Sequence, residues 1–177
     1  MPAVLSPIDQ PRGLLMRVAF AMSRRQFGKV LTALKVLYAR KPRLALIAQK
    51  IADMQKRLTL TPDIRWLVQV QTARLNGCTF CDDIALAQAY QQRIGRARFA
   101  ELADYRTSEL FTPREKAALA LAEHATRERR VPAAVWDEVK RSFTDEEIVE
   151  LVWLNAAENY FNLQATVLGI ESDGLAR

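Results

Sequence analysis

The sequence contains few residues of the types that bind metals or crosslink small folds: its 177 residues include one histidine, His124, and two cysteines. Its apolar runs are shorter than the roughly 20 residues that a membrane-spanning helix needs, so we expect no membrane span. A secretory signal is not expected either, because Pro2 and Asp9 open the chain and Arg17 interrupts its apolar run. We therefore expect a cytoplasmic protein, where purely structural disulfides are uncommon.

Glycine and proline are also scarce, at six and seven residues, and no strand-like alternation of apolar and polar residues is present. Apolar residues instead recur at helical spacing. Thr61, Thr112 and Thr144 each precede a proline or an acidic first turn, which is typical of a capped helix start. The sequence therefore predicts an all-α bundle. The predicted helices cover residues 14–23, 29–39, 42–58, 62–75, 79–93, 96–105, 113–129, 132–142 and 145–168.

Basic and acidic residues are distributed unevenly along the chain. Residues 1–60 hold 12 lysines and arginines against two aspartates, whereas residues 61–177 hold 14 basic and 18 acidic residues. We predict a basic helical N-terminal extension over residues 1–40, packed on a helical domain over residues 41–177. The basic residues are dispersed, which favours a solvated face or contact with the acidic half of a neighbouring subunit. We do not expect binding to nucleic acid or a membrane.

The two cysteines lie in the stretch Cys78-Thr79-Phe80-Cys81, directly after the helix-stop pair Asn76-Gly77. This order places Cys78 at the start of the next helix, where free backbone N–H groups and the helix dipole favour a thiolate over a thiol. Residues three apart share one helix face, so a disulfide can close within a turn. Such a pair suits reversible two-electron chemistry.

Two other interpretations of the cysteines remain open. A structural zinc site needs four ligands, and the chain offers neither a second cysteine pair nor more than His124 to complete the set. We therefore predict no metal and no cofactor. Alternatively, both cysteines are buried and inert, because free cysteine packs well as a small apolar residue.

Glu158 is the most conspicuous candidate for proton transfer. It falls in the middle of an apolar stripe of the predicted helix 145–168. Burial there raises the pKa of a carboxyl towards the range useful for acid–base catalysis. The alternative is a structural salt bridge. Beside it, Asn155, Asn159 and Asn162 form an amide stripe that either satisfies buried polar groups or lines the thiol site.

Two further residues are secondary candidates. His124 follows small apolar residues at helical spacing, which is typical of a packed histidine, although its near-neutral pKa suits a proton relay. Asp83 lies two residues after Cys81 in the first turn of a predicted helix, where acids are favoured. Its carboxyl either holds a proton near the thiols or only stabilises the helix start.

Three segments together resemble the carboxymuconolactone decarboxylase and alkylhydroperoxidase D (AhpD-like) family: RWLVQVQTARLNGCTFCDDIALA, LFTPREKAALALAEHATRERRVP and FTDEEIVELVWLNAAENYFN. The resemblance covers roughly residues 40–168. It implies an AhpD-like helical bundle that forms homo-oligomers, with Cys81 as peroxidatic and Cys78 as resolving thiol. It also implies a hydroperoxide or disulfide substrate and a dithiol reductant, such as a lipoyl- or thioredoxin-like protein.

The chain departs from the family's pattern at two positions. The glutamate expected twelve residues before the first cysteine is Trp66, and the histidine expected four residues after the second is Ala85. The usual proton relay is therefore missing. We expect a thiol peroxidase or disulfide oxidoreductase in which Glu158 replaces the relay. The alternative is a non-enzymatic scaffold or redox sensor whose basic N-terminal region docks a partner.

Overall fold

A computed structural model describes residues 3–176, and those residues form helices and connecting loops without any strand. The all-α prediction is confirmed. A π-helical turn spans Leu34–Tyr38 and a 3-10 turn spans Leu102–Asp104. The α-helices are α1 (Leu14–Phe27), α2 (Pro42–Arg57), α3 (Pro62–Leu75), α4 (Thr79–Gln91), α5 (Arg96–Ala100), α6 (Pro113–Glu128), α7 (Ala133–Ser142) and α8 (Asp145–Val167).

The three threonine caps predicted from the sequence are confirmed. The side chains of Thr61, Thr112 and Thr144 each accept a hydrogen bond from a backbone N–H in the first turn of α3, α6 and α8. The caps of α6 and α8 are full capping boxes, in which Glu115 and Glu147 bind back to the cap residue. Such caps fix where these helices begin because they satisfy backbone N–H groups that have no partner within the helix.

The predicted helix over residues 29–39 is wrong at its start, because residues 29–31 are not helical and helical conformation begins at residue 32. Helix α1 runs on to Phe27 and ends at Gly28, whose φ of 73° is left-handed. The Ser23 hydroxyl then donates to the Lys29 carbonyl at 2.9 Å and accepts from Leu31 N–H at 3.0 Å. These bonds hold residues 29–31 in a non-helical turn against the end of α1. The predicted helix over 96–105 likewise divides into α5 and the 3-10 turn.

Helix α3 lies at the centre of the bundle. Eight of its 14 residues are buried, and it packs against α4, α6 and α8. Helix α6 also packs against α7 and α8. This arrangement brings the ends of α3 and α8 beside the first turn of α4, which carries the cysteines.

Residues from the basic N-terminal region share a buried apolar cluster with the cysteine pair. We call it the cysteine cluster, and it joins side chains from α1 and the following segment to side chains from α3, α4 and α8. The predicted division of the chain at residue 40 stays a prediction. The buried members are Met16, Phe20, Val30, Leu31, Ala33, Val36, Tyr38, Ala73, Cys78, Phe80, Cys81, Ala165 and Ile170.

Helix α2 contrasts with the rest of the bundle, because none of its 16 residues is buried. Leu46, Ile47 and Met54 are nearly half exposed, at 46, 48 and 49%. No helix among residues 3–176 is both long and apolar enough to cross a bilayer.

Candidate active site

The cysteine pair occupies the turn from α3 into α4. Gly77 adopts a left-handed φ of 65°, which side-chain-bearing residues rarely adopt. This conformation lets Cys78 N–H donate to the Ala73 carbonyl at 2.9 Å and makes Cys78 the N-cap residue of α4. Cys78 and Cys81 are joined by a disulfide with their Cα atoms 5.3 Å apart. Both sulfurs therefore lie at the positive end of a helix dipole.

Both cysteines are buried, at 2 and 3% exposure, within the cysteine cluster. Met16 and Phe20 of α1 belong to the same cluster and are themselves 0 and 2% exposed. A bulky reagent therefore reaches either sulfur only when side chains of this cluster move. The N-terminal region thus contributes side chains to the buried cluster that contains the pair.

Glu158 lies in the interior of α8, as its place in the apolar stripe predicts, with 5% of its surface exposed. Its carboxylate accepts a hydrogen bond from Asn162 Nδ2 at 2.6 Å. Burial raises the pKa of the Glu158 carboxyl from 4.5 to about 7, and the bond from Asn162 lowers it by less. The group is therefore partly protonated near neutral pH.

A chain of amides leads from Glu158 towards the cysteine turn. Asn76 is the C-cap residue of α3 and lies two positions before Cys78. Its Nδ2 atom donates to Asn162 Oδ1 at 2.9 Å and to Asn159 Oδ1 at 3.0 Å. Asn162 in turn binds Glu158. The sequence identifies Asn76 only as part of a helix stop. Its hydrogen-bond partners lie more than 80 residues away in the chain, so no local sequence pattern indicates them.

The amide stripe of α8 also ties three helices together. Asn155 donates to Thr72 Oγ1 at 3.0 Å and to Thr126 Oγ1 at 2.8 Å, and Asn159 donates to the Asn155 carbonyl at 2.8 Å. These bonds join α8 to α3 and α6. Asn155 therefore has a packing role, whereas Asn159 and Asn162 also contact Asn76.

Asp83 anchors the segment that follows α8. Its carboxylate accepts hydrogen bonds from Leu175 N–H at 2.8 Å and from Ala176 N–H at 2.8 Å. Burial raises the pKa of Asp83, but these and neighbouring bonds lower it more, so the net pKa lies below its ordinary value. The carboxyl is thus ionised and already occupied as an acceptor, which does not suit a proton donor. The neighbouring Asp82 pairs with Arg74 at 2.9 Å.

His124 lies on α6, partly exposed, and its Nδ1 atom is 3.0 Å from Glu128 Oε1 on the same helix. The structure gives it a local partner and no described contact with the cysteine turn. Within residues 3–176, no group of three or more histidine, cysteine or acidic side chains is placed to hold a metal ion.

Apolar packing occupies the two positions where the family's relay is expected. Ala85 is buried, and Trp66 packs partly buried against the same apolar cluster, which also includes Phe99 and Leu119. This cluster is separate from the cysteine cluster. The indole Nε1 of Trp66 is buried and has no hydrogen-bond partner among the described residues. The two substitutions therefore replace a polar pair with packing.

An open pocket of about 430 Å³ lies beside the amide chain, on the exposed side of α8. Asn76 and Asn159 line it together with Arg129, so the pocket meets the amides that lead to Glu158. The remaining lining residues are Ala156, Tyr160, Leu163 and Thr166.

Comparison with known proteins agrees with this architecture. Residues 47–124 match the model of the carboxymuconolactone decarboxylase family, which confirms the resemblance seen in the sequence. An uncharacterized Bacillus subtilis (strain 168) protein, YdfG, is 29% identical over 122 residues, covering 66% of this chain and 83% of YdfG.

Two solved structures share the fold. One is a protein of unknown function from Agrobacterium tumefaciens, whose suggested assignment is antioxidant defence protein AhpD. It is 21% identical, with a TM-score of 0.73 over 77% of this chain and 96% of its own. The other is a cysteine-to-alanine variant of the debrominase Bmp8 in complex with 2,3,4-tribromopyrrole. It is 16% identical, with a TM-score of 0.85 over 100% of this chain and 95% of its own. At these identities the likeness shows the AhpD-like fold alone.

Proposed function

Because residues 47–124 match the carboxymuconolactone decarboxylase family and the chain has the AhpD-like fold, we propose that this protein is a thiol-dependent oxidoreductase of antioxidant defence. The observation that carries the proposal is the Cys78–Cys81 pair, joined across the first turn of α4. A dithiol that closes within one turn exchanges two electrons without rearranging the bundle. A reducing cytoplasm is the compartment in which such a pair returns to the thiol form.

In the proposed reaction, the Cys81 thiolate attacks the outer oxygen of a hydroperoxide. The O–O bond breaks, Cys81 becomes a sulfenic acid, and the departing alkoxide takes up a proton to leave as an alcohol. The Cys78 thiol then attacks the Cys81 sulfur, water leaves, and the disulfide forms. A dithiol reductant, such as a lipoyl- or thioredoxin-like partner, restores both thiols by two exchange steps. A disulfide substrate enters by the same exchange.

Glu158 is the proposed source of the proton in the first step. Its carboxyl is partly protonated at neutral pH because it is buried. The amides of Asn162 and Asn76 are hydrogen-bonded in series between Glu158 and the turn that holds Cys78. In the proposal they position the carboxyl relative to that turn, and the proton passes from Glu158 itself and not through the amides. In this role it replaces the glutamate and histidine whose positions are taken by Trp66 and Ala85.

The burial of both cysteines favours one alternative, a non-enzymatic redox sensor. In such a sensor the pair is oxidised slowly, and its oxidation alters how the N-terminal region binds a partner protein. Only 2 and 3% of Cys78 and Cys81 are exposed. The likeness to the debrominase does not select a substrate class, since it extends to the fold alone. The choice of a hydroperoxide or disulfide substrate rests on the family resemblance.

A stoichiometric peroxide pulse on the fully reduced protein tests the cysteine assignments. Mass spectrometry is expected to show loss of two hydrogens and a Cys78–Cys81 crosslinked peptide. In Cys78→Ser, the sulfenic acid on Cys81 is expected to persist and to react with dimedone. In Cys81→Ser, no crosslink is expected. If the reduced parent protein keeps both thiols after the pulse, the enzyme proposal fails and the sensor is favoured.

A pair of variants on α8 tests the proton donor. Glu158→Gln keeps the shape of the side chain and its contact with Asn162 but removes the titrating proton, so peroxide consumption is expected to fall about 100-fold. Glu146→Gln, on the exposed first turn of the same helix, is the matched control and is expected to retain the parent rate. Equal rates in the two variants would remove Glu158 from the mechanism and leave the cysteine chemistry standing.

A further inference from the structure

The segment that follows α8 contacts both α4 and the residues after α1. We call residues 171–176 the strap. Just before it, Ile170 is 4% exposed, belongs to the cysteine cluster and donates its N–H to the Ala165 carbonyl at 2.8 Å. None of the strap residues is buried, and the strap is not helical. The strap is therefore a surface segment that is attached to the core through Ile170.

Asp83 of α4 binds the far part of the strap. Its Oδ1 atom accepts hydrogen bonds from Leu175 N–H and Ala176 N–H, both at 2.8 Å. The side chain of Leu175 packs against the cysteine cluster. Asp83 lies two residues after Cys81 on the same helix, so these bonds hold Leu175 over the cluster beside the start of α4.

Asp173 binds the middle of the strap to the segment after α1. Its carboxylate accepts hydrogen bonds from Thr32 N–H and Thr32 Oγ1, both at 2.8 Å. The Nζ atom of Lys29 lies 3.6 Å from Asp173 Oδ1. The strap is therefore held at two points, and each point depends on one carboxylate.

The disulfide is too deeply buried for a reductant to reach it while the strap is in place. Reduction passes through a mixed disulfide, in which a sulfur of the reductant bonds to one of the two cysteines. Cys78 and Cys81 are only 2 and 3% exposed. Part of the cover of the cysteine cluster must therefore move before the pair can be reduced.

The strap is the part of that cover whose displacement costs little apolar burial. Moving α1 would expose Met16 and Phe20, which are 0 and 2% exposed, and would lose their apolar contacts. Moving the strap uncovers Leu175, which is only partly buried, and breaks hydrogen bonds that water can replace. Segments with few buried apolar contacts are the ones that open locally in folded proteins.

A groove of about 350 Å³ lies beside the strap, between the end of α1 and α4. Asp173 and Leu175 form part of its wall. The groove is open to solvent on its outer side, so a partner that enters it contacts the strap directly.

From these features we propose that the strap opens to admit the dithiol reductant to Cys78 and Cys81, and that Asp83 is the positioning residue that holds the strap closed. Asp83 acts through the strap and not on the reacting sulfurs. The identity of the entering molecule rests on the proposed function. The opening itself does not, because any dithiol that reduces the folded protein must reach the same buried pair.

The rate at which dithiothreitol reduces the disulfide tests the strap. The protein is first oxidised with diamide, so the result does not depend on whether a peroxide forms the disulfide. Asp83→Asn and Asp173→Asn each remove the charge and one acceptor oxygen from a point that holds the strap. Each variant is expected to be reduced at least about tenfold faster than the parent. Mass spectrometry after acid quenching and alkylation counts the thiols.

Asp82→Asn is the matched control for Asp83→Asn. It removes the same charge beside Cys81, but Asp82 pairs with Arg74 at 2.9 Å and makes no described contact with the strap. It is expected to be reduced at close to the parent rate. Equal acceleration in Asp82→Asn and Asp83→Asn would show an effect of charge alone and would overturn the proposal. Parent-like rates in both strap variants would overturn it as well.

A urea series on the parent protein separates opening of the strap from unfolding of the whole chain. Displacement of six residues exposes little surface, so the reduction rate is expected to rise only slightly with urea below the unfolding transition. A rate that rises with the full slope of global unfolding would overturn the proposal, because the pair would then be reached only in the unfolded chain.

Discussion

Glu158 shows how one buried side chain couples stability to pH. Its pKa is about 7 in the folded chain and 4.5 without burial, so between these values the folded state binds more protons than the unfolded state. The contribution of Glu158 to stability is then fully present below the unfolded pKa and is lost as pH rises to about 7, by up to roughly 3 kcal/mol. Urea unfolding at pH 5 and pH 8 measures this slope.

Glu158→Gln is expected to lose most of that pH dependence, because the amide does not titrate. Glu146→Gln, on the same helix, is expected to retain it. If the parent and Glu158→Gln lose the same stability between pH 5 and pH 8, the raised pKa is wrong.

At the residue scale, periodicity located Glu158 on a buried face but gave no information about its partners. Asn162 is one helical turn away, and the amide stripe was visible in the sequence. Asn76 belongs to the end of α3, and only the packing of α3 against α8 brings it to Asn162. Likewise, the anchoring of residues 175 and 176 by Asp83 depends on a loop path that no spacing rule describes.

Helix starts were the most predictable features at the element scale. The first residues of α3, α6 and α8 follow directly from Thr61, Thr112 and Thr144, because a cap acts within one turn. Interruptions were less predictable. The helix predicted over residues 29–39 begins later than expected, where Ser23 binds backbone groups six and eight residues further along the chain. The sequence also did not predict that α2 has no fully buried residue, since an amphipathic pattern does not say how far its apolar face is covered.

Thr144→Ala tests the cap that begins α8. The variant loses the hydrogen bond that Glu147 N–H donates to Thr144 Oγ1 at 3.3 Å, and it is expected to lower the free energy of unfolding by about 1 kcal/mol. Thr144→Ser retains a capping hydroxyl and is expected to stay within a few tenths of the parent value. A urea titration measures both, and equal losses in the two variants would contradict a capping role.

At the scale of the whole molecule, the N-terminal region is part of the core that holds the cysteines. Phe20→Ala removes a side chain that is 2% exposed in the cysteine cluster. It is expected to cost about 3–5 kcal/mol and to speed alkylation of the reduced cysteines, because the cavity opens a path to them. Iodoacetamide labelling under native conditions measures the rate.

Leu14→Ala is the matched control for that experiment, since Leu14 lies on the same helix but is 76% exposed. We expect its stability and alkylation rate to match those of the parent. Equal alkylation of Phe20→Ala and Leu14→Ala would show that α1 does not limit access to the pair.

The short span of the disulfide has a consequence for the behaviour of the whole chain. A crosslink between residues three apart closes a very small loop, so it removes little conformational entropy from the unfolded chain, and far less than a bridge between distant segments does. The bundle therefore owes its folding to burial and helix capping in either oxidation state. The cysteine pair in the first turn of α4 can then be oxidised and reduced repeatedly while the surrounding helices keep their fold.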